Sequence, residues 1–110
     1  MSNFFYNDDS KMINLPDGKT HRKILAHNDG LMLVEVYFDK DGVGTVHTHP
    51  HTQATYCLEG EFEFTVGEEK KIIKAGDTIV MPSDVAHGCR VLTDSGKIID
   101  IFTPERKDFL

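Results

Sequence analysis

Three histidines, His47, His49 and His51, occur within a stretch of five residues. Residues two apart in a β-strand project from the same face, so we expect His47 and His49 to present two imidazoles to one point. Neutral imidazole is the commonest protein ligand of first-row transition metals. Gln53 follows four residues after His49, and His87 lies beyond the next predicted hairpin. This pattern predicts a metal site, although a histidine pair alone is equally consistent with a solvated loop.

A carboxyl group interrupts an apolar run close to the C-terminus. Asp100 shares a strand face with Ile98 and Phe102, and such apolar surroundings would raise its pKa. A carboxyl group of this kind can serve as a general acid or base, while an outward-facing residue of a half-solvated strand is the alternative. Arg106 follows Phe102 by four residues and is predicted to reach over the mouth of the fold as a carboxylate clamp; standing alone it would be a surface arginine.

The elements that must position these residues are short β-strands. Apolar residues recur with a period of two, most clearly at Phe62, Phe64 and Val66, which are predicted to face the core. Turn-forming sequences separate the strands, and no stretch has the apolar stripe of a helix, apart from one possible turn over 104–110. Many short strands of this kind predict an all-β sandwich or barrel. The predicted strands are 31–38, 61–66, 71–74, 77–81, 87–92 and 97–103.

Length and charge exclude several classes of protein. A chain of 110 residues has room for a single core, so we predict one domain over 1–110 with an N-terminal arm over 1–21. The net charge of -6, without a basic cluster, argues against binding to nucleic acid or to an anionic membrane. No apolar run approaches the roughly 18 residues of a spanning helix, and the N-terminus lacks the pattern of a secretory signal. We therefore expect a cytoplasmic protein with free thiols at Cys57 and Cys89.

Two motifs together give the chain a family resemblance. It resembles the cupin superfamily, whose members are double-stranded β-helix or jelly-roll barrels. The first cupin motif has the form G(x)5HxH(x)3-4E(x)6G, and the second has the form G(x)5PxG(x)2H(x)3N. The positions that match them, in order, are His47, His49, Gln53, Gly60, Gly76, Pro82 and His87.

The chain departs from these motifs at a few positions. The leading glycine is displaced to Gly42 or Gly44, Asp84 replaces a glycine, and Val91 replaces the asparagine. Gln53 replaces the glutamate, which removes a negative charge from the site. A divalent cation held by neutral ligands alone keeps its charge, so the site is expected to favour an anionic ligand such as a substrate carboxylate.

Within the cupins, the chain from Arg22 onwards is similar to the small uronate-linearising cupins of pectin and alginate breakdown, the KdgF type. The glutamine at the glutamate position agrees with this group. The segments that carry the similarity are 22–25, 47–51, Gln53, 58–64, 87–89 and 100–109.

The resemblance implies a metal-dependent conversion of 4,5-unsaturated uronate monosaccharides to open-chain 5-keto-4-deoxyuronate. The metal would be Ni, Mn, Fe, Co or Zn, and the partner a small anionic sugar acid. A homodimer is expected, with the arm at the interface, because uncovered sheet edges tend to pair. The implied metal ligands are His47, His49, Gln53 and His87, and the implied catalytic or substrate-binding residues are Asp100, Phe102 and Arg106.

The sequence is also compatible with other functions, since one fold hosts many chemistries. A metal-dependent cupin dioxygenase or another small-molecule isomerase on the same barrel is one alternative. A non-catalytic module that binds a sugar acid belongs to a different class. The spacing does not separate galacturonate-derived from mannuronate-derived substrates. It also leaves open whether His51, Tyr56 or Cys57 contributes to the pocket.

Overall fold

A computed structural model describes residues 2–110, which form ten β-strands and two short 3-10 helices at Asn7–Asp9 and Lys107–Phe109. No helix among these residues has the length and hydrophobicity required to cross a bilayer. The strands, in chain order, are β1 (Ile13–Asn14), β2 (Thr20–Asn28), β3 (Leu31–Asp39), β4 (Val43–His47), β5 (Thr52–Glu59), β6 (Glu61–Val66), β7 (Glu69–Lys74), β8 (Thr78–Met81), β9 (His87–Val91) and β10 (Ser95–Thr103).

The strands form two antiparallel sheets that face one another. One sheet has six strands in the order β1-β2-β3-β10-β5-β8, and the other has four in the order β4-β9-β6-β7. The chain crosses between the sheets several times, so neighbouring strands within a sheet are often distant in sequence. The all-β barrel predicted from the sequence is confirmed.

The larger of two apolar clusters lies between the sheets at one end of the barrel, and a smaller cluster of Met32, Val34 and Phe102 lies towards the other end. Phe62 and Phe64 of β6 point into the larger cluster, whereas Glu61 is exposed, as the period of two predicts. Val66 is half-buried and packs against the same cluster. This cluster comprises Phe38, Cys57, Phe62, Phe64, Ile73, Met81, Val91 and Ile98.

The register between β5 and β10 determines which side chains face each other inside the barrel, at the end away from the larger apolar cluster. These two strands are adjacent and antiparallel, so residues on the same inner face meet as cross-strand pairs. The pairs change from apolar to polar along the strands. In order they are Ile98 with Cys57, Asp100 with Thr55, and Phe102 with Gln53.

Four strands of the structure, β1, β2, β4 and β5, are not among the predicted strands. β2 was not predicted because its register shifts between Ile24 and Ala26, and a bulge of this kind interrupts the alternation of apolar residues. β4 ends at His47, so His49 lies in a loop and not on the same strand. Pro50 follows His49 and has no N–H with which to continue a strand.

Candidate metal centre and active site

Three histidines converge between the two sheets. The ligating atoms of His47, His49 and His87 all lie within 4.8 Å of one another. His47 of β4 and His87 of β9 are directly opposed in the four-stranded sheet. His49 approaches from the loop that carries the chain to β5, and its side chain is buried. The structure therefore brings together the histidines that the sequence spacing singles out.

The backbone fixes the orientation of each imidazole. In all three rings the Nδ1 atom lies within hydrogen-bond distance of a backbone carbonyl oxygen, to which it donates. This leaves Nε2 as the atom available to a metal, because a neutral imidazole carries one proton. The carbonyl acceptors for His47, His49 and His87 belong to Thr45, His51 and Val85, at 2.8, 3.0 and 3.0 Å respectively.

Gln53 contributes an oxygen atom to this cluster. Its side chain is buried, and its Oε1 lies 2.9 Å from Nε2 of His49. The amide group is held from behind, because its Nε2 donates to Oγ1 of Thr55 at 3.1 Å. Thr55 in turn donates to Oδ1 of Asp100 at 2.6 Å. An ionised carboxylate only accepts hydrogen bonds, so this chain of donors turns the carbonyl oxygen of Gln53 towards the histidines.

These donors fit a divalent transition metal. His87 Nε2 is buried and has no hydrogen-bond partner, which is costly for a polar atom unless a ligand occupies the space it faces. Burial lowers the pKa of His87, so its ring is in the neutral form that a metal requires. Three imidazole nitrogens and one amide oxygen suit several first-row metals, so the ligand set does not identify the ion.

Asp100 lies on the inner face of β10 beside this cluster. Burial raises its pKa to about 6, and the hydrogen bonds from Thr55 and Gln53 oppose that shift. The direction agrees with the expectation drawn from the apolar run around it. A carboxyl group with a pKa in this range can exchange a proton near neutral pH.

Phe102 and Arg106 form the wall next to Asp100. The Phe102 side chain is buried, and its ring centroid lies 5.6 Å from that of His49. The Arg106 guanidinium lies 5.2 Å from the centroid of the Phe102 ring. It donates to Asp108 through Nε at 3.0 Å and through Nη2 at 2.8 Å. The predicted bidentate clamp is therefore engaged with a carboxylate of the protein itself.

A cavity of about 140 Å³ lies against these residues. His49 packs against Phe102 close by. Other predicted site residues line the cavity directly, namely His47, Gln53, His87, Asp100, Phe102 and Arg106.

The three residues left open by the sequence take different positions. His51 lies outside the three-histidine cluster, and its Nε2 donates to the carbonyl oxygen of Glu105 at 3.1 Å. Tyr56 is exposed, and Cys57 belongs to the apolar core. Both cysteines of the chain are free thiols, as predicted.

Sequence reasoning missed three residues of the site: Arg22, Thr55 and Phe109. Arg22 and Phe109 line the cavity, and Thr55 links Gln53 to Asp100. A signal for Thr55 was present, because it shares strand parity with Gln53. Arg22 belongs to the segment 22–25 that carries the family resemblance, but nothing in the sequence assigned it to the site, since β2 was not predicted as a strand.

Asp84 shows how one departure from the cupin motif is accommodated. It occupies the position of a motif glycine and has a φ of 62°, in the left-handed region. Aspartate tolerates this region better than most residues with a side chain. The Asp84 N–H donates to the carbonyl oxygen of His49 at 2.9 Å. The turn therefore keeps its conformation and helps to hold the loop that carries His49.

Comparison with known proteins places this fold and site in a family. Residues 32–102 match the model of the Cupin domain family. The chain is 39% identical to the pectin degradation protein KdgF of Dickeya dadantii (strain 3937), over all of both chains. The structure of KdgF from Halomonas sp. superposes with a TM-score of 0.92 at 38% identity, with both chains fully covered. An RmlC-like cupin from Shewanella frigidimarina NCIMB 400 gives 0.93 at 36% identity, covering 100% of this chain and 97% of that one.

The chain belongs to the cupin family. Within that family it is a member of the KdgF-like group, which it matches in sequence along its full length.

Proposed function

We propose that this cupin is a metal-dependent enzyme of pectin or alginate breakdown that converts 4,5-unsaturated uronate monosaccharides to open-chain 5-keto-4-deoxyuronate. The full-length similarity to KdgF, a pectin degradation protein, supports the pathway. The observation that carries the reaction is the hydrogen-bonded chain from Gln53 through Thr55 to Asp100. It connects a carboxyl group of raised pKa to a cluster of metal-ligating side chains around one cavity.

The metal would be held by His47, His49, Gln53 and His87. When bound, it supplies Lewis acidity towards oxygen atoms of the substrate. All four ligands are neutral, so positive charge remains in the cavity and favours a carboxylate substrate over a neutral sugar.

Asp100 is the proton-transfer residue in this proposal. In its protonated form it donates to the enol-ether carbon that does not carry the carboxylate, and the electron pair of the double bond forms the new C–H bond. Water adds to the carboxylate-bearing carbon, returns a proton to the Asp100 carboxylate and gives a hemiketal. Cleavage of the bond from that carbon to the ring oxygen then yields the ketone, and loss of water at the former anomeric carbon yields the aldehyde. The net change is an isomerisation.

Phe102 and Arg106 position the substrate. The Phe102 ring packs against the apolar face of the sugar and restricts the access of bulk water. Arg106 keeps N–H groups beyond the two that bind Asp108, and these can donate to substrate oxygens at the cavity wall.

The test is the loss of ultraviolet absorbance from a 4,5-unsaturated uronate monosaccharide. We expect metal-loaded protein to accelerate this loss over the spontaneous reaction, and chelator-stripped protein to lose the acceleration. Metal restored to the stripped protein should restore turnover. No acceleration by protein with a fully occupied metal site would contradict the proposal.

A further inference from the structure

A second arginine lines the same cavity as the proposed catalytic residues. Arg22 lies on β2, opposite Val36 of β3, and both side chains contribute to the cavity wall. Its guanidinium carbon lies 3.8 Å from the centroid of the Phe109 ring. The guanidinium carbon of Arg106 lies 4.3 Å from the same centroid. Two cations therefore share one aromatic ring at the wall of the cavity.

The two arginines differ in their partners. Arg106 is paired with Asp108 through two hydrogen bonds. Arg22 is partly buried, and its Nε is fully enclosed without any hydrogen-bond acceptor. Within residues 2–110, no carboxylate forms a salt bridge with Arg22. Arg22 is thus the cation at this wall that forms no salt bridge with a protein carboxylate, and Asp108 acts on it only at longer range.

This arrangement is unfavourable for the free protein. A buried N–H without an acceptor carries a desolvation cost, and a like charge nearby adds repulsion. Burial and the neighbouring Arg106 both lower the pKa of Arg22, although a guanidinium stays protonated at neutral pH. An anion in the cavity would relieve both effects. The planar fork of an arginine matches a carboxylate in particular.

We propose that Arg22 is the residue that binds the carboxylate of the sugar acid. The inference rests on the proposed function for the identity of its substrate. Arg106 then acts mainly through its pair with Asp108, which fixes its guanidinium against the aromatic wall. A carboxylate held by Arg22 places the carbon that bears it inside the cavity lined by Asp100 and the histidines, where the double bond must react.

The test compares the binding of galacturonate and galactose to zinc-loaded protein by calorimetry. The two sugars differ by the carboxylate, so the difference in affinity reports on the carboxylate site. In Arg22→Gln we expect the affinity for galacturonate to fall by about 10- to 100-fold, as for a charge-assisted hydrogen bond, with bound zinc unchanged. Arg22→Lys keeps the charge without the fork and should recover part of the loss.

Lys23→Gln is the matched control, because it removes a positive charge from the next position of β2. Lys23 does not line the cavity and is hydrogen-bonded to Asn7. It should therefore leave the affinity for galacturonate unchanged. An equal loss in Lys23→Gln and Arg22→Gln would mean that only the overall charge matters, and this would overturn the proposal.

The remaining outcomes separate this inference from the proposed function. If wild-type protein does not accelerate the loss of uronate absorbance, yet galacturonate binding depends on Arg22, the reaction is wrong and the carboxylate site stands. If turnover occurs, but galacturonate affinity is unchanged in Arg22→Gln and lost in Arg106→Gln, the carboxylate binds Arg106 and the inference fails. Wild-type protein that binds galacturonate no better than galactose would also overturn it.

Discussion

The two ends of the barrel interior are built by the same strands and have opposite chemistry. On the inner faces of β5 and β10, the pair of Cys57 and Ile98 belongs to the apolar core. Two residues further along, Thr55 meets Asp100 and the site begins. Thr55 and Cys57 are both almost completely buried, so the difference between the ends is one of polarity and not of exposure.

This difference separates stability from chemistry within one small fold. Burial of the apolar end supplies the favourable free energy of folding. The polar end contains groups whose burial is costly, among them the unpartnered Nε2 of His87 and the carboxyl group of Asp100. Changes at the apolar end should therefore alter stability and leave the chemistry intact. Changes at the polar end should do the reverse.

Loss of a metal ligand is the largest effect expected at the polar end. His87→Ala removes a buried imidazole that we propose as a metal ligand and whose Nε2 has no other partner. We expect the metal content after dialysis to fall and the turnover of unsaturated uronate to drop to the spontaneous rate. His21→Ala is the control, because His21 bonds to Asn14 and Asp39 away from the cavity. A His87→Ala protein with full metal content and activity would refute this ligand assignment.

Phe62→Ala should have the largest effect at the apolar end. The Phe62 side chain is fully buried, and its ring lies 5.0 Å from that of Phe38 between centroids. We expect a loss of about 3–5 kcal/mol in the free energy of unfolding, measured by denaturant titration of metal-free protein. Turnover per folded, metal-loaded molecule should stay within a few-fold of wild type. Ile72→Ala, at a side chain that is 62% exposed, should change stability by less than about 0.5 kcal/mol.

If Phe62→Ala does not fold, Phe62→Leu provides a milder version of the same test. A large loss of turnover in folded Phe62→Leu, with stability unchanged, would show that the two ends are not separable.

Asp100→Asn should change stability and activity in opposite directions: the turnover should fall, and the stability above about pH 4 should rise. Loss of the proton-transfer group is expected to reduce kcat by roughly 10²-fold or more, with the metal retained. Oδ1 of the asparagine can still accept the hydrogen bond from Thr55. Turnover within a few-fold of wild type would remove Asp100 from the mechanism.

The stability of the same variant has a defined pH dependence in metal-free protein. Burial raises the folded-state pKa of Asp100 from 3.8 to about 6, so the folded state holds the proton more tightly than the unfolded state. Wild type therefore loses stability relative to Asp100→Asn as the pH rises from about 4 to about 6. The difference should level off above that range at no more than about 3 kcal/mol. A difference that does not vary between pH 4 and 7 would show that Asp100 does not titrate abnormally.

The sequence predicted the apolar end of the barrel better than the polar end. The alternation in β6 predicts that the strand face with Phe62 and Phe64 is buried, because the pleat imposes a period of two. β5 was not predicted as a strand because it lacks the alternation of buried apolar and exposed polar residues that β6 has. Its inner face carries Gln53 and Thr55, while Tyr56 is exposed, so its polar residues point inwards. A strand whose inner face carries polar site residues lacks the apolar period of two from which strands are predicted.

Local spacing predicted which side chains of the site could meet, but not what holds them. The second cupin motif predicted His87 as a site residue, and the interruption of an apolar run predicted Asp100. The bond between Thr55 and Asp100 joins residues 45 apart, and it depends on the register between two strands. Register is set by the packing of the whole barrel and is not encoded in either strand alone. The same reason kept Arg22 out of the predicted site.

Thr55→Val should have the smallest of these effects. It tests the boundary between the apolar end and the polar end of the barrel, which lies between Cys57 and Thr55 on β5. Valine has nearly the shape of threonine but cannot accept from Gln53 or donate to Asp100, so the orientation of the amide is no longer fixed. We expect metal affinity, measured by chelator competition, to fall by about tenfold, as is typical when a partner of a metal ligand is lost. A role in packing alone would leave metal affinity unchanged. Thr55→Ser should restore it, and Thr52→Val, at an exposed position of the same strand, should have no effect. Unchanged metal affinity in Thr55→Val would assign Thr55 to the apolar packing and place the boundary between the two ends one pair closer to the histidines.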